Sequence, residues 1–177
     1  MKILRSIGAI IVGWLAAVIA ISGIEMVSGM FIYPPPGGKS AMEWKKEMET
    51  GTPAAREWLR SIPTSAMAMV QVAWAFGAMG GGFVAARTAG RAHLLHAGII
   101  GAFVLVGTIF KFLVLKTKLD YVHPDWLLIT GLLLPLPFSL LGGKLASLFY
   151  PPAPPSPPLP PAPDGAIQAG EPPLRSN

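Results

Sequence analysis

Two charged residues, Glu25 and Lys111, lie inside otherwise apolar stretches and are the first candidates for chemistry. Glu25 precedes Tyr33 by two helical turns and Lys111 precedes Lys116 by just over one, so both approach the same end of the apolar zone. An unpaired charge at that depth is costly, so opposite charges at matched depth predict an intramembrane ion pair. Alternatively, Glu25 lies at the interface and Lys111 extends its ammonium to headgroups. The sequence leaves both interpretations open.

Few other side chains could bind a metal or act as nucleophiles. His93 and His96, spaced i and i+3, could hold a metal ion or sense pH, but no third ligand accompanies them, so we expect solvated or interfacial histidines. The absence of Cys excludes disulfides, thiol nucleophiles and Cys-ligated metals. No phosphate-binding glycine loop, zinc-protease motif or nucleophile elbow occurs. We predict no catalytic residues, no metal site, no cofactor and no enzymatic activity.

Long apolar helices must position these residues. Hydrophobic residues make up 52% of the 177-residue chain and charged residues 13%, with a mean hydropathy of +0.53, which is too apolar for a soluble domain. A helix needs about 20 apolar residues to cross a bilayer. Four stretches approach that length, at residues 7–32, 66–86, 94–115 and 126–149. The sequence predicts an all-α fold, a four-transmembrane-helix bundle over residues 1–150.

The first stretch bears on targeting and orientation. A signal peptide is an alternative for it, but its apolar character continues to Ile32, so an uncleaved helix is expected. Four spans place both termini on one side, and the counts of Lys and Arg on the two sides are close, with the raw numbers favouring termini outside. We expect cytoplasmic termini, because Lys2 and Arg5 flank the first helix and the turn at residues 87–96 is basic without an acid.

Small residues and prolines predict how the helices pack. The predicted helix-packing face of the second stretch recurs every four residues and consists of Ala73, Gly77, Gly81 and Ala85. Such a face lets helix backbones approach closely in lipid. Gln71 is expected to form an interhelical hydrogen bond. Pro135 and Pro137 each remove a backbone donor from the fourth stretch and predict a helix kink there.

The connector and the tail have different compositions. Residues 39–63 predict two short amphipathic helices at the membrane surface, forming either a structured connector or a lid or docking element. Ser40 with Glu43 matches a capping box, and Thr52 before Pro53 matches a helix start. Residues 151–177 are Pro-rich with few charges and predict a disordered tail with polyproline II character.

Two segments carry a resemblance. They are residues 74–91, with the sequence WAFGAMGGGFVAARTAGR, and residues 95–101, with the sequence LHAGIIG. A third feature is the Tyr33-Pro34-Pro35-Pro36 sequence that follows the first helix. Together they resemble a group of small bacterial four-helix integral membrane proteins of uncharacterised function, with a similar layout over residues 3–148. The Pro-rich tail departs from that group. The resemblance implies the fold and a bacterial membrane, and it carries no activity or catalytic residues.

We expect a structural or accessory protein of the cytoplasmic membrane. The alternative is a component of a transporter or channel that uses Glu25, Lys111 and the Pro-broken fourth helix. A water-lined cavity at Glu25 would favour transport. A dry helix bundle without such a cavity would favour the accessory role. The expected partners are the lipid bilayer and either another membrane protein or a second copy. The scattered basic residues form no nucleic-acid patch.

Overall fold

The computed structural model describes residues 2–150, and every regular element in this range is helical. Four helical spans are long and apolar enough to cross a membrane: Ile3–Phe31, Thr64–Ala89, His93–Leu119 and Asp125–Phe149. They coincide with the four predicted apolar stretches, so the all-α class with four candidate spans is confirmed. The Pro-rich segment 151–177 lies outside the described residues, and its disorder stays a prediction.

Within the described range the chain forms seven α-helices. In chain order they are α1 (Lys2–Phe31), α2 (Ala41–Thr50), α3 (Pro53–Arg60), α4 (Thr64–Ala89), α5 (His93–Leu119), α6 (Asp125–Leu133) and α7 (Pro135–Phe149). A short 3-10 turn at Pro36–Gly38 precedes α2. Helices α6 and α7 together form the fourth candidate span.

Local capping signals define the connector helices α2 and α3. The Ser40 side chain accepts a hydrogen bond from the Glu43 backbone at 3.3 Å, and the Glu43 carboxylate accepts one from the Ser40 backbone at 2.8 Å, so the capping box is confirmed. Gly51 ends α2 in the left-handed conformation, with φ of 70°. Thr52 then begins α3 by accepting a hydrogen bond from the Ala55 backbone. These contacts satisfy helix-end groups that have no partner within the helix.

Helix α4 packs against α1 through small residues. A Cβ added at Gly81 would lie 2.6 Å from the Ala17 Cβ and 2.7 Å from the Gly13 carbonyl oxygen. A Cβ added at Gly77 would overlap the Ile21 side chain. The row that contains Gly77 and Gly81 therefore faces α1, and only glycine allows the two backbones to approach this closely.

The neighbouring row of small residues on α4 packs against α7. A Cβ added at Gly82 would overlap the carbonyl oxygen of Ser139, and one added at Gly142 would overlap the carbonyl oxygen of Met79. Helix α7 also contacts α5, where the Ser139 hydroxyl donates to the Ala97 carbonyl at 2.5 Å. Helix α4 is thus clamped between α1 and α7.

The fourth span divides into α6 and α7 at Leu134, immediately before Pro135. Leu134 keeps helical dihedral angles, with φ of −73° and ψ of −40°. Its backbone N–H still donates to Thr130 at 2.9 Å, and Phe138 donates to the Leu134 carbonyl at 3.2 Å. The prolines therefore remove donors from the ladder while the backbone at Leu134 stays in the helical region.

Candidate functional site

The structure brings Glu25 of α1 and Lys111 of α5 together. The Lys111 Nζ lies 2.7 Å from the Glu25 Oε1, and the same oxygen accepts a hydrogen bond from the indole N–H of Trp74 at 3.1 Å. The Lys111 ammonium also lies 5.4 Å from the centre of the Trp74 ring, within cation–π range. Three helices, α1, α4 and α5, thus each contribute one side chain to a single charged cluster.

The charged cluster borders a cavity of about 290 Å³, named here the Glu25 cavity. The Glu25 and Lys111 side chains are 28% and 42% exposed, so the pair is only partly enclosed by protein. Its other polar or aromatic lining residues are Ser28, Tyr33, Trp58, Trp74, Tyr121 and His123. The remaining walls are mostly aliphatic or methionine side chains. A largely apolar cavity with a few convergent polar groups is the usual form of a small-molecule site.

Helices α2 and α3 form one wall of the Glu25 cavity and are named here the roof helices. Leu59 and Ala55 of α3 are buried against Leu119, the last residue of the third span, and Tyr121, which follows it. Trp58 stacks on Tyr33 with ring centres 5.5 Å apart. The connector is therefore packed onto the bundle and contributes side chains to the site.

Several contacts fix the position of the roof helices. The Tyr33 hydroxyl is hydrogen-bonded to the Ser61 hydroxyl at 2.7 Å. Arg60 lies 3.7 Å from Asp120, although both side chains are largely exposed, so this pair adds little stability. A Cβ added at Gly51 would lie 2.8 Å from the Lys118 carbonyl oxygen, which places the turn between α2 and α3 against the end of α5.

His123, in the link between α5 and α6, lines the Glu25 cavity as an uncharged group at neutral pH. Burial, together with the positive charge of Lys111, lowers the pKa of His123 to about 4. Its ring lies 4.6 Å from the Phe112 ring and 4.8 Å from the Tyr121 ring. Burial also raises the pKa of Tyr121. The acidic and basic side chains of the cavity wall are the ion-paired Glu25 and Lys111, which have opposite signs.

The other residues singled out in the sequence lie elsewhere. The Gly77 and Gly81 face contacts α1, and neither these glycines nor Pro135 and Pro137 are among the lining residues. Gln71 donates to the Leu127 carbonyl of α6 at 2.8 Å, so the predicted interhelical hydrogen bond is confirmed. The structure thus separates the proline interruption from the ion pair.

His93 and His96 were expected to be solvated or interfacial, and their burial excludes the solvated alternative. They are only 5% and 4% exposed, because the start of α5 packs against α7, where a Cβ added at Gly143 would lie 3.1 Å from the His93 carbonyl oxygen. The His96 Nδ1 lies 3.1 Å from the Ala92 carbonyl oxygen. Within residues 2–150, no three His, Asp or Glu side chains come close enough to hold a metal ion.

Sequence reasoning missed three contributors to the Glu25 cavity. Trp74 belongs to the charged cluster. The sequence signal that could have indicated this polar contact is the position of a tryptophan one turn after Gln71 in the same span. His123 lies beside Tyr121 in a five-residue link, and Trp58 belongs to the apolar side of α3.

Comparisons with known proteins add no template for this arrangement: no protein-family model, no curated protein and no solved structure matches the chain.

Proposed function

We propose that this protein is a non-enzymatic accessory protein of the bacterial cytoplasmic membrane that binds a small molecule in the Glu25 cavity. The observation that carries the proposal is the Glu25–Lys111 ion pair in the wall of a mostly apolar cavity of about 290 Å³. Ionisable residues within membrane spans are rare because their insertion is costly, so those that do occur often mark functional sites. Ligand binding accounts for both the charges and the space beside them.

In this proposal the protein is multi-pass and both termini are cytoplasmic. Arg5, Arg87, Arg91 and Lys144 lie toward the end of the bundle where the chain begins, and every acidic residue of the described range lies toward the opposite end or in the connector. We give the Lys and Arg residues that directly flank the spans at this end more weight than the total count, which is slightly higher at the opposite end. The Glu25 cavity and the roof helices then lie near the outer surface. A reporter fused to the C-terminus tests this orientation, and activity outside the cytoplasm would reverse it.

The proposed partners are the lipid bilayer and a protein neighbour, either another membrane protein or a second copy. Helix α1 leaves many large apolar side chains exposed, among them Ile11, Trp14 and Ile19. Lipid chains cover such a surface without any further partner. The basic residues stay distributed over both ends of the bundle, so nucleic acid is not proposed as a partner.

A transporter or channel component is the second candidate function. It is favoured by the cavity beside Glu25, since the bundle is not gap-free there, and by the ion pair in its wall, because such pairs are common along substrate pathways. Close glycine contacts of α4 with α1 and α7 fill the opposite half of the bundle, so passage would require these helices to separate. Uptake into vesicles of a molecule found in the Glu25 cavity would favour transport. Binding without uptake would favour the accessory role.

Purification in native lipid nanodiscs with a matched pair of variants tests the leading proposal. Ala66 is buried and lines the Glu25 cavity, so Ala66→Phe fills the space. Ala68, two residues along the same helix, is exposed, so Ala68→Phe adds the same side chain outside the cavity. Mass spectrometry is expected to find a small molecule with the wild type and Ala68→Phe that is lost in Ala66→Phe. Identical contents in all three samples would contradict ligand binding in this cavity.

A further inference from the structure

The Glu25–Lys111 pair has unused hydrogen-bonding capacity. Glu25 Oε1 accepts from both Trp74 and Lys111, but no hydrogen bond within residues 2–150 reaches Glu25 Oε2. The Lys111 ammonium carries three N–H donors, and one of them is used by Glu25. Both side chains remain partly exposed beside the cavity. The site therefore offers one anionic acceptor and two cationic donors, side by side, to a bound molecule.

The charge balance of the cavity selects the class of ligand. A simple cation at Glu25 Oε2, or a simple anion at the unused N–H donors of Lys111, would give the neutral pair a net charge. A net charge in this partly enclosed, mostly apolar cavity is less favourable than the neutral pair. A zwitterion satisfies both charges at once, its cationic group at Glu25 and its anionic group at Lys111. Because His123 is uncharged at neutral pH, it does not disturb this balance.

The cavity walls suit the rest of such a ligand. Tyr33, Trp58, Trp74 and Tyr121 contribute aromatic side chains, whose ring faces attract ammonium groups. Val70 and Leu127 add apolar surface for hydrocarbon. A volume of about 290 Å³ equals that of roughly ten water molecules, which holds a headgroup and a short stem rather than a whole lipid.

We propose that the Glu25 cavity binds a zwitterion carrying an ammonium and a phosphate or carboxylate group. This inference rests on the proposed ligand-binding function and names the ligand class. The same chemistry occurs in the headgroup of a zwitterionic phospholipid and in free glycerophosphoethanolamine. The ammonium lies at Glu25 Oε2 and the aromatic faces, and the phosphate accepts from Lys111. The Glu25–Lys111 contact itself stays in place.

Two binding measurements distinguish the two sources. The purified full-length protein is placed in nanodiscs of phosphatidylglycerol, an anionic lipid. In one arm, phosphatidylethanolamine is added to the nanodisc and retained lipid is counted by native mass spectrometry. In the other arm, soluble glycerophosphoethanolamine is added and its affinity is measured by calorimetry. Retention of one phosphatidylethanolamine without binding of the soluble compound assigns a lipid headgroup, and binding of the soluble compound assigns a free ligand.

The key variant removes both charges together, as Glu25→Gln with Lys111→Met, so that neither charge is left alone. It should weaken zwitterion binding at least about tenfold, because each lost hydrogen bond to a charged group contributes about that factor. The control combines Glu57→Gln with Lys116→Met, two exposed residues outside the cavity lining. This control should bind like the wild type.

A second measurement needs only the wild-type protein and covers the case in which the double variant fails to fold. If the soluble compound binds, glycerophosphoethanolamine should bind at least about tenfold more tightly than ethanolamine or glycerol phosphate alone; if only the lipid is retained, the same factor should separate phosphatidylethanolamine from phosphatidylglycerol. Equal affinities for the three compounds, or for the wild type and a folded double variant, would overturn the zwitterion assignment, as would the absence of zwitterion binding in both arms. If Ala66→Phe displaces a bound molecule that is not a zwitterion, only the zwitterion assignment fails. If no molecule depends on the cavity, the proposed function fails as well.

Discussion

The two halves of α4 differ in side-chain size, and this difference divides the bundle into a clamp and a cavity. The half that ends at Ala89 carries Gly77, Gly81 and Gly82, which bring the backbone into contact with α1 and α7. The half that begins at Thr64 carries Met67 and other large side chains that line the Glu25 cavity. Small residues let helix backbones come into contact. Large side chains keep the helices apart, and a cavity remains where no side chain of a neighbouring helix fills the space between them.

Polar groups follow the same division. In the clamp, the Ser139 hydroxyl is fully buried and its hydrogen bond goes to the Ala97 backbone, leaving it no role toward a ligand. At the cavity, the Glu25 and Lys111 side chains are paired but keep exposed surface. A polar side chain in the clamp therefore supports the fold, whereas those at the cavity can also contact a bound molecule.

Adding one methyl group in the clamp should produce the largest effect on stability. Gly142→Ala places a Cβ against the Met79 carbonyl oxygen, a backbone atom that cannot move without shifting α4. We expect the free energy of unfolding to fall by about 1–3 kcal/mol or more, as for other overpacked cores. Unfolding in mixed micelles measures this change.

Gly80→Ala is the matched control for the clamp. It lies in α4 itself, but an added Cβ would meet no atom within 4 Å. Alanine also has the higher helix propensity, so this variant should be neutral or slightly more stable than the wild type. Equal destabilisation by Gly80→Ala and Gly142→Ala would mean that close backbone packing does not distinguish the two positions.

Uncoupling the ion pair should have a smaller effect, confined to the cavity half. Glu25→Gln and Lys111→Met should each reduce the free energy of unfolding, and the double variant should lose less than the sum. We expect a coupling energy of about 1 kcal/mol, since the side chains are partly exposed and polar pairs in membranes are modest. A double-mutant cycle in the same micelles gives this energy directly.

The exposed pair Lys45–Glu49 provides the comparison cycle. Its charged atoms are 4.0 Å apart, and the side chains are 71% and 64% exposed. Solvent screening should reduce its coupling to near zero. If the cycles for Glu25–Lys111 and Lys45–Glu49 give the same value, the intramembrane pair makes no special contribution.

The sequence was sufficient for features that depend on neighbouring residues. Apolar length predicted the four spans, and Ser40 with Glu43 predicted the start of α2, because both signals are local. The cavity depends on how distant segments meet, as where Trp58 packs beside Tyr33, and no spacing rule gives that. The burial of His93 was missed for the same reason, since it results from contact between α5 and α7.

Acidification should weaken the cavity half through His123, with little effect near neutral pH. The folded-state pKa of His123 is about 4, below the ordinary value of 6.5. Between these values the unfolded chain binds a proton that the folded chain does not, so stability falls as the pH drops through this window. Above pH 6.5 both states are neutral at this residue, and the contribution does not change with pH.

Substitution of His123 isolates this effect from all other titrating groups. His123→Gln keeps a polar side chain but cannot gain a proton, so it should lose less stability than the wild type between pH 7 and pH 4.5. The difference between the two unfolding free energies should grow as the pH falls and stay constant above neutrality. Parallel curves for the two proteins would mean that His123 is solvated in the folded state. The wall of the Glu25 cavity would then be open to water at the link between α5 and α6, which would sharpen the contrast with the clamp.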